Sequence, residues 1–593
     1  MKKTVAQAHR YGWRMTNLWV LLALAMNSVL AGQSFATVYV EADAAAGGDG
    51  NSWSTAYQTI QEGIDDALDE EVWVAEGTYM EAITMKDGVA LYGGFAGTEG
   101  ARDQRDWEMH VATIDGSTAR GGEAAYHVVM MNNITNSRID GFTITGGNAD
   151  GTDEDGCGAG IYCLDLDNTN AVANCTLDGN SAQNRGGGIY NRLSSPTISG
   201  CAFSGSYAYV GSALFNWRSA PLVTDCTFSG NTAGGDGGGI RNEEYSSPTI
   251  TNCTFTNNDS GVRGGGINNY DHSSPTVTDC IFRSNSAFYY GGAAYNYGFC
   301  LPSMTNCVFW SNTADTSGGG MYSDYFSGPT LTNCTFCLNV ADTHGGAIRN
   351  YDSSLTITNC ILWGNVPEEI SLGGDHSTAT VIYSDVRDGY SGEGNINVDP
   401  LFVDTLGGDL RLQAGSPGLD VATWSGAPDA DILGIARPQG AGVDMGAYEF
   451  IAPGTWDSDN DGVANGADGV GDPDDDGVPS YLDPDADNDG LSDGDEVRDL
   501  DTGTPDVQNP FDPLDPDTTG DGFSDVADGV LDGQNDYDGD GMSNADEFTF
   551  GYNPIDPGSW AEVPDITAIG FAMVVMFLGV WTYMSRRLRH KRA

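Results

Sequence analysis

The stretch Pro248-Thr249-Ile250-Thr251-Asn252-Cys253-Thr254-Phe255 decides the fold, because its cysteine returns every 25 to 27 residues along the chain. Polar and apolar residues alternate within it, which is typical of a strand with one buried face. A glycine-rich block, here Gly264-Gly265-Gly266-Ile267-Asn268-Asn269, follows each cysteine after about ten residues. A period this regular indicates one structural unit stacked on itself. The repeating cysteines are Cys175, Cys201, Cys226, Cys253, Cys280, Cys307, Cys334 and Cys360.

Each unit is too short for a strand–helix–strand crossover and shows no helical periodicity. Two or three short strands joined by Gly, Asn and Ser turns fit its length, which predicts one coil of a parallel β-helix. Stacking at about 4.8 Å would bury Cys, Ile and Phe inside. We also expect two columns of asparagine whose amides hydrogen-bond along the axis. They are Asn191, Asn216, Asn242, Asn269, Asn296 and Asn350, with Ser323 as an exception, and Asn231, Asn258, Asn285, Asn312, Asn339 and Asn365.

Three resemblances extend this interpretation. The Gly-Gly-x-Ile block and the Phe-x-x-Asn signal (Phe228 to Asn231; Phe203 departs, being followed by Ser206) resemble the repeat of polymorphic outer membrane proteins. Residues 38–116 resemble the opening of secreted bacterial right-handed β-helix proteins, and residues 399–449 resemble their closing segment. The resemblance implies a right-handed coil whose atypical ends cover the open edges of the stack.

Composition and the two ends of the chain predict an exported, anchored protein. The formal net charge of −59 argues against a nucleic-acid partner, since nothing would neutralise phosphates. Basic residues, an apolar run from Leu18 to Leu30 and Ser34-Phe35-Ala36 predict a cleaved secretory signal. An apolar run from Ile566 to Met584 before a basic tail predicts one membrane span with the tail in the cytoplasm. This end resembles a bacterial C-terminal sorting signal, and a plain membrane anchor is the alternative.

We therefore predict an all-β, right-handed parallel β-helix solenoid with a calcium-binding, loop-rich C-terminal stalk and a single C-terminal transmembrane helix. The predicted parts are a signal peptide (1–36), a cap with the first coils (37–156), the β-helix repeats (157–398), a closing segment (399–452), acidic calcium repeats (453–560) and the membrane or sorting segment (561–593).

Export permits disulfides, but the eight repeating cysteines fall on one inward column, where free Cys behaves as a small apolar residue. Bridges along the stack are an alternative, because neighbouring coils would hold Cα atoms within disulfide range. Cys157 and Cys163 are out of register with the column, and we predict that these two pair.

The acidic segment predicts calcium binding. Five loops carry carboxylates or substitutes at positions 1, 3, 5 and 12 with Gly at position 6, the spacing that wraps a twelve-residue loop around Ca²⁺. The segment resembles thrombospondin type 3 repeats; a solvated acidic linker is the alternative. The predicted ligands, with Leu491 and Met542 acting through their carbonyls, are Asp457, Asp459, Asp461 and Asp468; Asp472, Asp474, Asp476 and Asp483; Asp485, Asp487, Asp489, Leu491, Asp493 and Glu496; Asp517, Thr519, Asp521, Asp525 and Asp528; and Asp536, Asp538, Asp540, Met542, Asn544 and Glu547.

An aromatic and acidic turn follows the first asparagine column, and stacking would align it into a ridge where sugar rings could lie on aromatic faces. Glu244 and Asp271, one coil apart, would have a spacing near that of a retaining carboxylate pair. Repeated turn residues that merely line every coil are the alternative. The ridge residues are Trp217, Glu243, Glu244, Tyr245, Tyr270, Asp271, Tyr297, Asp324, Tyr325, Tyr351 and Asp352.

The function that these features favour is binding or adhesion at the cell surface, with an extracellular glycan or a surface protein as partner. A polysaccharide lyase or glycoside hydrolase that uses the ridge is the second hypothesis. Fold alone does not decide between them.

Removal of calcium is expected to leave residues 456–556 unordered, because this segment has few apolar residues and the metal must supply the ordering energy. Circular dichroism and limited proteolysis of the full chain, with chelator and after calcium is restored, measure this. If the chelator leaves both the spectrum and the cleavage pattern unchanged, the calcium hypothesis is wrong.

Overall fold

The computed structural model describes residues 37–68 and 71–451, together with the backbone of 498–499 and 504–505. The chain divides into two units, Met1–Phe450 and Ile451–Ala593. The first unit holds the solenoid. In the second, Arg498–Asp499 and Thr504–Pro505 pair as antiparallel strands. The predicted signal peptide, calcium ligands and membrane span lie outside the described residues.

Four parallel sheets run along the solenoid, which we name sheets I to IV in the order in which one coil visits them. Sheet I has thirteen strands and sheet II has twelve. Sheet I contains Thr37–Val40, Glu71–Ala75, Ala90–Phe95, Arg138–Asp140, Ala171–Ala173, Thr197–Ser199, Leu222–Thr224, Thr249–Thr251, Thr276–Thr278, Ser303–Thr305, Thr330–Thr332, Ser354–Thr358 and Thr378–Ile382. Sheet II contains Gly77–Tyr79, Ala112–Asp115, Phe142–Thr145, Thr176–Asp178, Ala202–Ser204, Thr227–Ser229, Thr254–Thr256, Ile281–Arg283, Val308–Trp310, Thr335–Cys337, Ile361–Trp363 and Asp385–Val386.

Sheet III is a ladder of eight two-residue strands, and sheet IV has eleven strands. A full coil thus has four strands rather than the two or three expected, because the segment after each buried asparagine also pairs briefly with its neighbours. Sheet III contains Asn148–Ala149, Ser181–Ala182, Tyr207–Ala208, Thr232–Ala233, Asp259–Ser260, Ser286–Ala287, Thr313–Ala314 and Val340–Ala341. Sheet IV contains Ile83–Thr84, Val129–Asn132, Ile161–Leu164, Ile189–Arg192, Leu214–Trp217, Ile240–Glu243, Ile267–Tyr270, Ala294–Tyr297, Met321–Asp324, Ile348–Tyr351 and Ile370–Gly373.

Identical side chains stack inside the coils, as the repeat predicts. Phenylalanine rings of successive sheet II strands lie nearly parallel, with centroids 4.7 Å apart between Phe203 and Phe228 and 4.6 Å apart between Phe228 and Phe255. The apolar residues of sheets I and IV and the cysteine column join them in one continuous buried core. Each coil therefore buries its apolar residues only because a neighbour lies above and below.

Both predicted asparagine columns exist as buried hydrogen-bonded ladders. In the second, Asn285 Nδ2 donates to Asn312 Oδ1 at 2.9 Å and to the Phe255 carbonyl at 2.9 Å. Its own Oδ1 accepts from Asn258 N and Nδ2 at 3.1 and 2.9 Å. The first ladder links Asn191 through to Asn296 from amide to amide and ends on the hydroxyl of Ser323. The predicted member Asn350 follows in register but donates instead to the Ser353 and Thr378 carbonyls. The amides of the second ladder thereby provide hydrogen-bond partners for buried backbone groups at the turns between strands.

All twelve cysteines are free and buried, which agrees with the apolar interpretation of the column. The column thiols donate to nearby carbonyls, as Cys253 Sγ does to Thr251 O at 3.2 Å. The predicted pairing of Cys157 with Cys163 is wrong. Cys163 lies in the inner core, whereas Cys157 packs outside sheet IV against Tyr162. Neighbouring residues of a strand face opposite sides of its sheet, so the sheet itself separates the two thiols.

At the N-terminal end, the α-helix Ile60–Asp66 buries Ile60 and Ile64 against the first strands. Thr59 caps this helix by accepting a hydrogen bond from Glu62 N. Short 3₁₀ turns occur at Trp53–Thr55, Arg102–Gln104 and Asp153–Gly156. Among residues 37–68 and 71–451, no helix has the length and apolar character that a bilayer span requires.

The closing segment covers the side of the solenoid rather than its open end. After the antiparallel hairpin Phe402–Asp404 and Asp409–Leu412, Met445 and its neighbours pack on Val308 and Ile361 of the outer face of sheet II. Arg437 and Glu449 form a fully buried ion pair at 2.8 Å within this segment. The polar residues of the segment thus serve its packing.

The end of the stack is closed by residues just before that segment, and two of them are buried acids. Glu369 accepts from Asn365 and ends the second asparagine ladder. Asp385 accepts from Val398 N at 3.2 Å, while its other oxygen is buried without a hydrogen-bond partner. Burial raises the pKa of each carboxyl to about 7.

Replacement of Asn285 by Ala is expected to lower the free energy of unfolding by roughly 2–4 kcal/mol, because Asn258, Asn312 and the Phe255 carbonyl each lose a buried partner. Urea unfolding followed by circular dichroism measures the loss. Thr256→Ala, on the outward face of sheet II, is the control and should change stability by less than about 0.5 kcal/mol. Equal effects of the two substitutions would show that the ladder contributes little.

Asp385→Asn is expected to stabilise the protein at pH 8 by roughly 1–2 kcal/mol and to leave it unchanged at pH 4. A carboxyl whose pKa is raised on folding contributes its full stability below its ordinary pKa near 4, and this is lost as the pH rises through about 7. Chemical unfolding at several pH values tests this, with exposed Asp388→Asn as the control. A wild-type stability that rises between pH 5 and 8, with the same slope in Asp385→Asn, would contradict the assignment.

Candidate functional site

The outward face of sheet IV carries the residues predicted for function. In the strand Ile240–Glu243, Ile240 and Asn242 point into the coil, which leaves Arg241 and Glu243 on the outside. The next two residues, Glu244 and Tyr245, have φ of 53° and 63° and turn the chain toward sheet I. Later coils repeat this left-handed turn, so each outward residue becomes a column along the solenoid.

All eleven ridge residues lie together in three adjacent columns. The last residue of each strand forms the first column, and the two turn residues form the other two. The first column contains Trp217, Glu243, Tyr270, Tyr297, Asp324 and Tyr351. The second contains Glu244, Asp271, Tyr325 and Asp352, and the third begins with Tyr245. Sequence reasoning missed the rest of the third column, His272, Phe299 and Phe326, although each occupies the position of Tyr245 one coil further on.

The aromatic rings of the ridge stack on one another. Tyr270 and Tyr297 lie 5.3 Å apart at 9°, and Tyr245 and His272 lie 4.8 Å apart at 21°. Coil spacing nearly equals aromatic stacking distance, so rings inside a column cover part of each other's faces. Tyr245, which begins its column, stacks on His272 alone and is 67% exposed. The prediction that sugar rings lie on this ridge stays a prediction.

The predicted carboxylate pair is also engaged. Arg218 donates to Glu244 at 2.7 Å, and Asp271 lies 2.7 Å from His272 Nδ1. The two carboxylates belong to the same column, one coil apart, as predicted. Each has a side-chain partner of its own, so neither is directed as a free acid toward a substrate bond.

The concave part of this face is a cleft of about 680 Å³ at the coils of Trp217 and Glu243. Tyr209, which sequence reasoning missed, lines it and is 59% exposed. Within the described part of the chain, no other ring stacks on Tyr209. The residues at the same turn in the next two coils, Gly235 and Val262, carry no ring. The Tyr209 ring therefore lies beside the backbone of Gly234 and Gly235, and more than half of the residue stays exposed.

Arginine–carboxylate pairs form the polar wall of the cleft. Arg241 donates to Asp236 at 2.7 Å and to Glu243 at 2.8 Å, and only 7% of its side chain is exposed. Arg192 pairs with Glu154 and lies 5.5 Å from the Trp217 ring centroid. Such pairs fix donors and acceptors side by side, an arrangement that can bind adjacent hydroxyl groups.

Cys157 also lies in the wall of the cleft. Burial raises the pKa of its thiol to about 11, so the thiol stays protonated at neutral pH. Burial likewise raises the pKa of Tyr190 to about 12. In the residues that the structure describes, no group of three or more His, Cys, Asp or Glu side chains is placed to hold a metal ion. The predicted calcium ligands lie outside this part.

Known proteins resemble this chain in fold. Residues 127–299 match the family described as the right-handed beta helix region, which confirms the predicted all-β right-handed parallel β-helix. No curated protein matches the chain. Among solved structures, a pectate lyase is 12% identical over 70% of this chain and 96% of its own, with a TM-score of 0.38.

Two further solved structures are similar at the same level. A surface adhesin of Streptococcus pneumoniae is 12% identical over 60% of this chain and 91% of its own, with a TM-score of 0.29. The A-module of a mannuronan C-5 epimerase of Azotobacter vinelandii is 13% identical over 60% of this chain and 100% of its own, with a TM-score of 0.29. Similarities at this level of identity and TM-score give no information about activity.

Proposed function

We propose that this protein binds an uncharged extracellular glycan in the cleft of sheet IV and presents that site at the cell surface. The observation that carries the proposal is the exposed side chain of Tyr209, on which no other described ring stacks, beside the arginine–carboxylate wall. The apolar face of a sugar ring packs on an aromatic face, while its hydroxyls need donors and acceptors held in place. The cleft combines both.

The charges that line the cleft favour a neutral ligand. Three arginines, Arg185, Arg192 and Arg241, face four carboxylates, so the cleft carries about one net negative charge (3 − 4). The whole chain is also strongly acidic, with a formal net charge of −59. A polyanionic glycan or a nucleic acid would be repelled at long range.

Surface presentation is part of the same proposal. An exported chain with a signal peptide, a stalk ordered by calcium and a membrane or sorting segment at its C-terminus would hold the cleft away from the cell. The supporting features are in residues 1–36, 453–560 and 561–593 of the sequence. Binding at such a position amounts to adhesion.

One observation favours glycan cleavage as a second candidate function. Asp324 is half-buried in the first ridge column, and burial raises the pKa of its carboxyl. Asp352 lies one coil further and raises it too. Glycoside hydrolysis uses two neighbouring carboxyl groups, one of which has a raised pKa.

Tyr209→Ala is expected to weaken glycan binding by about tenfold or more, since an aromatic contact contributes roughly 1 kcal/mol beyond its buried area. A glycan array identifies the ligand, and calorimetry with that ligand compares the variants. Tyr209→Phe should retain most affinity. Tyr325→Ala is the matched control, because Tyr325 is 48% exposed but stacked in the ridge.

Other results assign the function elsewhere. Loss of binding in Tyr325→Ala with full binding in Tyr209→Ala would move the site from the cleft to the ridge. Release of reducing or unsaturated ends from a polysaccharide, abolished in Asp324→Asn, would make the protein an enzyme. An array with no bound glycan would leave a surface protein as the partner and would refute glycan binding.

A further inference from the structure

The outward face of sheet I is a regular lattice of threonines. Five successive strands read Thr-x-Thr or Ser-x-Thr, and the residue between the two hydroxyls is always apolar and buried. The outward positions of these strands are Thr249 and Thr251, Thr276 and Thr278, Ser303 and Thr305, Thr330 and Thr332, and Thr356 and Thr358. Two more coils extend the lattice through Thr197, Ser199, Leu222 and Thr224.

The lattice is regular in two directions. Thr249 pairs directly with Thr276, and Thr251 with Thr278, and the later strands continue in the same register. Hydroxyls therefore repeat at about 4.8 Å along the stack and about 6.6–7 Å across each strand. The β-branched threonine side chain has restricted rotation about χ1. The packed core beneath sheet I restricts movement of the strand backbone. The result is a rigid two-dimensional array of hydroxyl and methyl groups.

The face is open and uncharged. Thr249, Thr276, Thr330 and Thr356 are exposed, and their second-column partners are half-buried. Among the described residues, no side chain or backbone group bonds the ten hydroxyls of the five central strands. None of the fourteen positions is charged, although the chain carries a net charge of −59. The closing segment packs on sheet II and accepts hydrogen bonds from Asn306, Asn333 and Asn359 at the edge beside the second column, while the first column stays exposed.

An uncharged, rigid and periodic face is complementary to an uncharged periodic ligand. A single small molecule would contact only two or three of these hydroxyls, each of which contributes little. A solid whose surface repeats at the same intervals would contact all of them at once. The prism face of ice has oxygen repeats close to both spacings of the lattice.

We propose that the threonine lattice of sheet I binds ice. Its hydroxyls join the surface layer of the crystal, and many weak contacts act together through one rigid body. A flat crystalline polysaccharide is the other periodic candidate, but stacked sugar faces would require aromatic rings, and the lattice has none. A second copy of this chain would bury mainly threonine hydroxyls and too few apolar groups for stable association.

Ice-affinity partitioning and recrystallisation inhibition of the full chain test the proposal. We expect the wild-type protein to enter growing ice and to slow recrystallisation, and Thr276→Lys to lose more than half of both effects. Thr276→Val keeps the side-chain shape and removes one hydroxyl, so it should cause a smaller loss. Thr227→Lys, exposed on sheet II, is the matched control and should behave as wild type. Circular dichroism confirms that each variant is folded.

Exclusion of the wild-type protein from ice to the same extent as an inert protein would overturn the proposal. Equal losses in Thr276→Lys and Thr227→Lys would overturn it as well, because ice contact would then not involve sheet I. Binding to microcrystalline cellulose in place of ice would assign the lattice to a polysaccharide solid. Tyr209→Ala should bind ice normally, so failure of the glycan proposal and failure of this one are distinguishable.

Discussion

Hydrogen bonding between buried asparagine amides in successive coils is the constraint on which the rest of the structure depends. Each interior amide of the second ladder, from Asn258 to Asn339, bonds its equivalents above and below and also a phenylalanine carbonyl, as Asn285 does. Such contacts form only if every coil has the same rotational phase. A slip of one residue would turn the phenylalanines outward and leave the amides buried without partners. Because all coils have the same rotational phase, the outward residues also form columns, and the surface is as regular as the core.

The column arrangement has different consequences for aromatic and for small outward side chains. Where a column is aromatic, as from Tyr270 to Tyr297, the rings stack at coil spacing and cover part of each other's faces. Where a column is threonine, as from Thr249 to Thr276, the side chains stay exposed to solvent. The cleft arises in a third way, where a repeat position changes from coil to coil. Tyr209 has no stacked ring because the equivalent positions of the next two coils carry none. The two surfaces proposed for binding thus differ in origin: the cleft lies where the repeat changes, and the threonine lattice lies where it continues.

Where the repeats end, buried acidic residues take over the hydrogen bonds that the repeated asparagines make elsewhere. Glu369 takes the place of the next asparagine and accepts the last ladder hydrogen bonds, and Asp385 accepts a backbone N–H. Both carboxyls are buried, and their pKa values are raised to about 7. The closing segment likewise contains the buried Arg437–Glu449 pair, and burial raises the pKa of Asp444 to about 7. We therefore expect the last coils and the closing segment to be more sensitive to pH than the middle of the solenoid.

The sequence by itself determined the stacked coils, the inward Cys, Ile and Phe columns, both asparagine ladders and the common strip of ridge residues. These features follow from the repeat period, because residues one period apart occupy the same position in successive coils and are therefore neighbours. Only the tertiary structure decided what no period encodes. It showed that ridge rings partly cover one another, that Cys157 and Cys163 lie on opposite sides of a sheet, that residues 402–450 pack on the side wall, and that Tyr209 faces the cleft. Each of these depends on distances between side chains or on contacts between segments far apart in sequence, which periodicity alone does not specify.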